Sequence, residues 1–141
     1  MPFVKIWVHL IFSTKNRKKL ITPEIKPELL NHIRENADSK KIYVDFINCV
    51  SDHMHMLISL KGEQSISKVA QLIKGESSRW INKNSLTPVN FEWQEEYIAI
   101  SVSESNVPKV RDYIKNQEAH HKKKTFAEEY KELMEKVGFK K

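Results

Sequence analysis

The sequence predicts an α+β fold of the ferredoxin-like or RRM-like type: a split βαβ antiparallel sheet, helices on one face, and an additional C-terminal helix. The order of apolar patterns along the 141 residues carries this prediction, since their period changes as strand, helix, strand, strand, helix, strand, helix. Hydrophobic residues form 40% of the chain and charged residues 30%, a balance that supports a buried core. At this length, residues 1–141 are expected to form a single domain.

The first predicted element is a strand over residues 4–14, and it is nearly apolar on both faces. One face carries Ile6, Val8, Leu10 and Phe12, and the other carries Trp7, His9, Ile11 and Ser13. Such a strand is expected at the centre of a sheet. We therefore interpret His9 as a packed core histidine.

Two elements follow a basic turn. Thr22 and Pro23 are typical of a helix start, but Pro27 leaves this start open by one turn. Apolar residues then recur at helical spacing as far as Ala37. Residues 42–49 are rich in β-branched and aromatic side chains and predict a second strand. Ser51 and Asp52 form a plausible tight turn into a third, antiparallel strand over residues 53–60.

The remaining elements are a second helix, a fourth strand and a long helical stretch. Ile66, Val69, Ile73, Ser77 and Trp80 share one helical face. Residues 97–102 predict the fourth strand, and helical periodicity returns over residues 107–137. We expect this last stretch to consist of a helix over about 107–123 and a helical tail over about 125–139, broken near Thr125.

Charge and cysteine content narrow the function classes. Lys and Arg number 24 against 18 Asp and Glu, giving a net charge of +6. A basic surface favours nucleic acid first and an anionic membrane second, although a generic positive surface remains an alternative. The single cysteine, Cys49, is expected in the core, and one cysteine fits a reducing cytoplasm. No apolar run approaches the ~20 residues of a membrane span, so no membrane partner is predicted.

The third strand carries the first chemical signal. His53 and His55 are two residues apart and share one face, whereas Met54, Met56 and Ile58 occupy the other. The methionine face is expected to pack on the core, leaving the imidazoles directed outward. Two neutral imidazoles side by side can chelate a divalent ion, although such a pair is often incidental.

The second signal lies near the start of the last helical stretch. Tyr113 and Gln117 are four residues apart and stack on one helical face. Beside a metal ion, a tyrosine can attack phosphorus, and a glutamine carbonyl suits Mg²⁺ or Mn²⁺ as a third ligand. A solvated polar stripe is the alternative. His120 and His121 could lie beside the tyrosine, but the basic run after them favours a charged surface.

At this point the sequence resembles a known family. SDHMHMLISL at residues 51–60 is similar to the histidine-hydrophobe-histidine (HUH) strand of the single-tyrosine, IS200-like transposases of small bacterial insertion sequences. VPKVRDYIKNQEAHH at 107–121 resembles their catalytic helix. HLIFSTKNRKK at 9–19, IKGESSRWIN at 73–82 and FEWQEEYIAISVSES at 91–105 extend the resemblance in the same order over nearly the whole chain.

The resemblance implies a set of roles. It makes His53, His55 and Gln117 ligands of a divalent metal, Mg²⁺ or Mn²⁺, and Tyr113 the nucleophile. Attack on single-stranded DNA would leave a 5′-phosphotyrosine link and a free 3′-hydroxyl, which later rejoins strands. The family recognises hairpin ends and works as a homodimer, in which the tyrosine helix of one subunit can complete the site of the other.

The resemblance also indicates where DNA binds. It implicates the basic turn and the second helix, and thus Lys15, Arg17, Lys18, Lys19, Lys74 and Arg79. A solvated loop is the alternative. Among the tyrosines, Tyr130 follows two glutamates that would oppose a phenolate, whereas Arg111 and Lys115 flank Tyr113 in the sequence.

Two other functions remain open at this stage. The chain could be a domesticated or inactive relative that binds DNA hairpins without cutting them. It could also be an unrelated small metalloenzyme whose two histidines coordinate zinc. The intact set of His53, His55, Tyr113 and Gln117 favours the active transposase over the first alternative.

Overall fold

Four strands form one antiparallel sheet in the computed structural model, which describes residues 3–138. The strands are β1 (Ile6–Ser13), β2 (Tyr43–Cys49), β3 (His53–Leu60) and β4 (Ile98–Val102). Their order is β2-β3-β1-β4, and every pair is antiparallel. The strand apolar on both faces, β1, lies between β3 and β4 as predicted. The ferredoxin-like fold is therefore confirmed.

Five helices complete the fold over the described residues. They are α1 (Lys26–Ser39), α2 (Ile66–Lys83), α3 (Val107–Lys115), α4 (Gln117–His121) and α5 (Phe126–Val137). No helix among the described residues has the length and apolar character needed to cross a membrane.

The first helix begins at Lys26, the later of the two starts that the sequence leaves open. The Thr22 carbonyl accepts a backbone hydrogen bond from Lys26 at 3.1 Å. The helix α1 starts at Lys26, with Pro27 in its first turn. A helix from Thr22 would place Pro27 in its interior, where proline lacks the N–H and its ring meets the carbonyl four residues earlier. The second proline, rather than the first, therefore marks the helix start.

One face of the sheet packs on α1 and α2 and holds the main core. Met54, Met56 and Ile58 are fully buried there, as predicted. Leu10 from β1 and Leu29 from α1 join the same cluster. Alternation along β1 and β3 therefore commits the opposite residues, including both β3 histidines, to the other face of the sheet.

That other face carries two smaller apolar clusters beneath the C-terminal helices. One cluster includes Trp7, Leu57 and Ile114 of α3, and the other includes Ile11 and Phe126 of α5. His9, His53 and His55 share this face and are also buried. Polar side chains are thus enclosed on a sheet face that apolar contacts cover at both ends.

The last helical stretch is divided twice, at Asn116 and at residues 122–125. At the first break, the Asn48 side chain donates hydrogen bonds to the carbonyls of Ile114 and Lys115, at 2.8 and 3.2 Å. A continuous helix would need those carbonyls for its own next turn. At the second break, Thr125 and Glu128 form a capping box that starts α5. Residue 139, the expected end of the tail, lies outside the described residues.

The buried thiol of Cys49 provides a test of the core. Burial raises its pKa to about 12, so the thiol stays protonated and unreactive near neutral pH. We expect a thiol reagent at pH 8 to label the native protein at least 100-fold more slowly than the protein in urea. A Ser39→Cys, Cys49→Ala protein is the control, because Ser39 is exposed and its cysteine should label at once. Equal labelling rates would contradict the core position of Cys49.

Candidate active site

The two β3 histidines point away from the methionines, as predicted, but their expected exposure is wrong. Both rings are fully buried. The reason is the C-terminal segment: the Phe126 ring of α5 stacks on His53 at 4.2 Å, and the His121 ring of α4 lies 4.4 Å from His53. A strand pattern shows which way a side chain points, but not what covers it.

Each of these imidazoles is held through its Nδ1 atom. His53 Nδ1 lies 2.8 Å from Asp52 Oδ1, and His55 Nδ1 lies 2.9 Å from His9 Nε2. Burial, reinforced by the neighbouring His55, lowers the pKa of His9 to about 3, and burial lowers that of His55 to about 4. Both rings are therefore neutral. His9 is buried as predicted, and it also orients a site residue.

Tyr113 and Gln117 lie on the same side of the sheet as the histidines. The Tyr113 ring centroid is 5.6 Å from that of His55 and 6.0 Å from that of His9. Gln117 is fully buried, and its Nε2 donates to the Tyr113 carbonyl at 3.2 Å. Its Oε1 has no hydrogen-bond partner within the described part of the chain. The structure therefore brings the predicted nucleophile and the predicted ligands into one enclosed region.

Glu129 of α5 is the site residue that the sequence reasoning missed. The Tyr113 hydroxyl donates a hydrogen bond to its Oε2 atom. Burial raises the pKa of Glu129, but the imidazoles of His53 and His55 outweigh burial and hold it well below its usual range. Burial and the bond to Glu129 raise the pKa of Tyr113 above its usual range. In this arrangement the tyrosine is held as a neutral phenol.

This geometry corrects the expectation that Tyr113 has basic neighbours and that the glutamates of α5 act only on Tyr130. Arg111 does not assist Tyr113, since its guanidinium binds both carboxylate oxygens of Asp45 at 2.6 and 2.9 Å. The acidic helix expected to disfavour Tyr130 places its carboxylate on Tyr113 instead. A sequence signal existed: Glu129 falls on the α5 face that buries Phe126, and a charged residue on an apolar stripe needs partners.

His120 and His121 also belong to the site, so the favoured interpretation of them as a charged surface is wrong. His120 Nε2 lies 3.3 Å from Glu129 Oε2, and His121 Nε2 lies 3.3 Å from Oε1. The short helix α4 follows the break at Asn116, which turns these rings inward. Donor atoms of His53, His55, His121 and Glu129 all lie within 4.8 Å of one another.

These side chains fit a divalent ion. His53 Nε2 and Gln117 Oε1 are buried and have no hydrogen-bond partner within the described residues. Buried polar atoms without partners are rare in native proteins, and a bound cation would satisfy both. Imidazole nitrogen and amide or carboxylate oxygen are ordinary ligands of divalent metals.

The basic turn between β1 and α1 lies close to this region. Ser13, the last residue of β1, pairs with His53. The Arg17 guanidinium packs 5.3 Å from the Phe126 ring, which in turn stacks on His53. Lys15, Lys18 and Lys19 are exposed on the same turn.

The two predicted α2 contacts do not lie together. Lys74 Nζ donates to the Glu95 carbonyl at 2.8 Å and lies 5.9 Å from the Phe12 ring, on the side of β1. Arg79 pairs with Glu76 at 3.2 Å, and Glu76 bonds to His32 of α1. Lys74 therefore lies beside β1, whereas Arg79 is exposed and pairs with a glutamate that contacts α1.

Fold and site define a family. The model of IS200-like transposases matches residues 3–117, and the chain belongs to that family. As a member of this family, the protein is a DNA transposase. The match ends at Gln117, so His121 and Glu129 lie in the part of the chain beyond it.

Two relatives illustrate this membership. The ISDra2 transposase TnpA of Deinococcus radiodurans is 28% identical over 115 residues, which cover 77% of this chain and 81% of the relative. The transposase for insertion sequence element IS200 of Salmonella typhimurium is 26% identical over 115 residues, covering 77% and 74%.

Solved structures share the fold. A crystal structure of a protein assigned as a transposase in Deinococcus radiodurans R1 aligns with a TM-score of 0.66 at 24% identity, covering 82% of this chain and 93% of that one. A REP-associated tyrosine transposase bound to a REP hairpin aligns with a TM-score of 0.65 at 18% identity, covering 86% and 72%. At these identities, the structural matches support the fold alone.

Asn48 provides a test of how the tyrosine helix is positioned. Asn48→Ala removes both donors to the α3 carbonyls and should lower the free energy of unfolding by about 1 kcal/mol. Urea unfolding of the variant and the parent protein measures this difference. Asn31→Ala is the control, because Asn31 is exposed and bonds only to Glu35 on its own helix, so it should change stability little. Equal effects of the two substitutions would contradict the role of Asn48.

Proposed function

We propose that this protein cleaves and rejoins single-stranded DNA at insertion-sequence ends, with Tyr113 as nucleophile. The observation that carries the proposal is the enclosure of Tyr113 with two buried imidazoles and a buried amide oxygen that has no hydrogen-bond partner in the described chain. We take residues 1–141 as one catalytic domain. With chromosomal DNA as substrate, the cytoplasm is where we expect it to act.

Four side chains have direct roles in this proposal, and two more orient them. His53, His55 and Gln117 would hold Mg²⁺ or Mn²⁺, and Asp52 and His9 orient the imidazoles through their Nδ1 atoms. When bound, such an ion supplies Lewis-acid polarisation of a phosphate oxygen. The Tyr113 hydroxyl oxygen attacks phosphorus after it leaves its hydrogen bond to Glu129 and loses its proton to water.

The exchange of bonds is balanced without an external energy source. A bond forms between the Tyr113 oxygen and phosphorus, and the bond from phosphorus to the 3′-oxygen breaks. That oxygen takes up a proton and leaves as a 3′-hydroxyl. In the reverse sense, another 3′-hydroxyl attacks the 5′-phosphotyrosine and releases the tyrosine, so one phosphodiester is exchanged for another.

The DNA path in this proposal follows the basic turn. Between β1, β4 and α5 lies a groove of about 980 Å³, lined among others by Arg17, Tyr97 and Phe126. Cationic and aromatic side chains together suit single-stranded DNA, which offers phosphates and bases. We propose that Lys15, Lys18, Lys19, Lys74 and Arg79 supply further phosphate contacts to a hairpin end.

Assembly is also part of the proposal. We propose a homodimer, as the family resemblance implies. Tyr113 contacts His55 of its own chain, so the geometry supports attack within one subunit. Exchange of α3 between subunits would produce a shared site with the same side chains.

A second candidate function is hairpin binding without cleavage. The bond between Tyr113 and Glu129 favours it, because a neutral phenol under a buried carboxylate is a poor nucleophile. Glu129 and α5 would have to be permanent occupants of the site for this alternative to hold.

A covalent-trapping experiment separates the two functions. Wild-type protein and Tyr113→Phe are mixed with single-stranded hairpin DNA from the flanks of its own gene, with Mg²⁺ or Mn²⁺, and run on a denaturing gel. We expect a DNA-shifted band only with wild type and metal, because only the phenol can form the phosphotyrosine. Tyr43→Phe is the matched control and should retain the band, since Tyr43 is exposed and lies in β2.

Each outcome of the trapping experiment decides between the candidates. A band that survives Tyr113→Phe would exclude Tyr113 as the nucleophile. Binding of the correct flanking DNA without a covalent band, with either Mg²⁺ or Mn²⁺ present, would favour the hairpin-binding function.

The basic turn is tested by the salt dependence of binding. Lys18→Gln with Lys19→Gln should remove two phosphate contacts, so the slope of log affinity against log salt should fall by about 1.4 to 1.8. Fluorescence anisotropy on a labelled hairpin measures it. Lys40→Gln with Lys83→Gln is the control, since these exposed lysines remove the same charge from the ends of α1 and α2. Equal slopes for the two double variants would remove the turn from the DNA site.

A further inference from the structure

We propose that the DNA-free protein binds a zinc-class ion on His53, His55, His121 and Glu129, and that this ion fastens α4 and α5 over Tyr113. This set differs from the proposed catalytic one, which uses Gln117 and neither His121 nor Glu129. The metal site itself does not depend on the proposed function. Its consequence, an inactive closed enzyme, rests on that function.

The spacing of the donor atoms carries the first step. Glu129 Oε1 lies 3.2 Å from His53 Nε2, 3.1 Å from His55 Nε2 and 3.3 Å from His121 Nε2. Ligands on a tetrahedron with zinc bonds of about 2.0 to 2.1 Å stand about 3.3 Å apart. Three imidazole nitrogens therefore lie around one carboxylate oxygen at close to this separation, and all four donor atoms lie within 4.8 Å of one another.

The orientation of the rings carries the second step. All three Nδ1 atoms are already engaged: His53 with Asp52 Oδ1, His55 with His9, and His121 with the Lys124 carbonyl, at 2.8, 2.9 and 2.8 Å. For His53 and His121 the partner is a carboxylate or a carbonyl, as is characteristic of metal-bound histidines, and for His55 it is a second imidazole. The Nε2 atoms are thereby left to face one another.

The hydrogen bonding of the Nε2 atoms carries the third step. His53 Nε2 and His121 Nε2 are buried and lie within 3.3 Å of the Glu129 carboxylate, yet neither makes a hydrogen bond with it. Their directions do not match an N–H donor aimed at oxygen. His55 Nε2 is within hydrogen-bonding distance of Glu129 Oε1, at 3.1 Å. In rings protonated at Nδ1, all three Nε2 atoms would direct lone pairs toward an ion beside that carboxylate.

The donor types select the ion. Three imidazoles and one carboxylate suit zinc, whereas Mg²⁺ prefers oxygen ligands and retains several waters. Four protein ligands also leave no open position, which is the mark of a structural zinc site rather than a catalytic one. A DNA phosphate could bind only after His121 and Glu129 had left, and both reside on the segment beyond the family match.

Cobalt(II) is the probe for this site, because it replaces zinc and gives an intense visible absorption when it is tetrahedral. DNA-free wild-type protein is titrated with Co²⁺ and then with Zn²⁺. We expect one tetrahedral Co²⁺ per chain, displaced by Zn²⁺. His121→Ala and Glu129→Gln should each weaken Co²⁺ binding at least tenfold and lose the tetrahedral band. Glu132→Gln on the exposed side of α5 is the matched control and should bind as wild type does.

Gln117→Ala distinguishes the two ligand sets. It should retain the tetrahedral spectrum, because Gln117 is not in the closed set. A spectrum lost in Gln117→Ala and kept in His121→Ala would overturn the proposal, as would octahedral Co²⁺ or no binding in wild type. Thermal unfolding gives a second readout: Zn²⁺ should raise the Tm of wild type and of Glu132→Gln more than that of His121→Ala.

The test of the zinc site is independent of the test of DNA cleavage. The cobalt spectrum is measured without DNA, so it does not depend on cleavage. If the closed set forms, Zn²⁺ added before DNA should reduce the covalent band of wild type at least tenfold. Undiminished trapping by zinc-loaded protein would show that the ion does not close the site.

Discussion

The buried carboxylate of Glu129 is the constraint on which the arrangement of the C-terminal half depends. An ionised carboxylate can be enclosed only if charge and hydrogen-bond partners surround it. Here His55 of β3 and the phenol of α3 form hydrogen bonds with it, and the imidazole nitrogens of His53 and His121 lie 3.2 and 3.3 Å away. Three helices and the sheet are therefore held in mutual register around one side chain. Apolar contacts at Trp7 and Phe126 close the two ends of this polar layer.

Most of the fold could be predicted from local patterns. Alternation over β1 and β3 placed the methionines and the histidines on opposite faces, and the order of elements gave the sheet topology. The helix boundaries were less predictable where a distant side chain decides them. Asn48 lies in β2, and its hydrogen bond to the Ile114 carbonyl ends α3. No pattern in the sequence near residue 116 predicts this end. Pro23 and Pro27 each mark a possible start of α1, and only the structure shows that the helix begins beside Pro27.

The site was predicted where its residues lie close together in sequence. His53 and His55 lie within one strand, Tyr113 and Gln117 are four residues apart on the two sides of the break at Asn116, and the family pattern adds to these short spacings. Glu129 is 74 residues from His55, and its contact depends on how α5 docks. The same distance explains the misjudged surroundings of Tyr113: neighbours in sequence suggested a basic environment, whereas the tertiary neighbour is acidic. Charge along a helix is a poor guide when another helix covers it.

The packing of Arg17 on α5 has a thermodynamic consequence for substrate entry. Its guanidinium lies 5.3 Å from the Phe126 ring and 5.7 Å from that of Tyr130, both on the helix that covers the site. A phosphate that draws Arg17 away removes a cation–π contact from α5. Linkage makes the effect reciprocal, since a docked α5 must lower the affinity of the turn for phosphate by the same factor. Phosphate binding at the turn and release of α5 from Tyr113 are thereby coupled, under the proposed function, through a single cation.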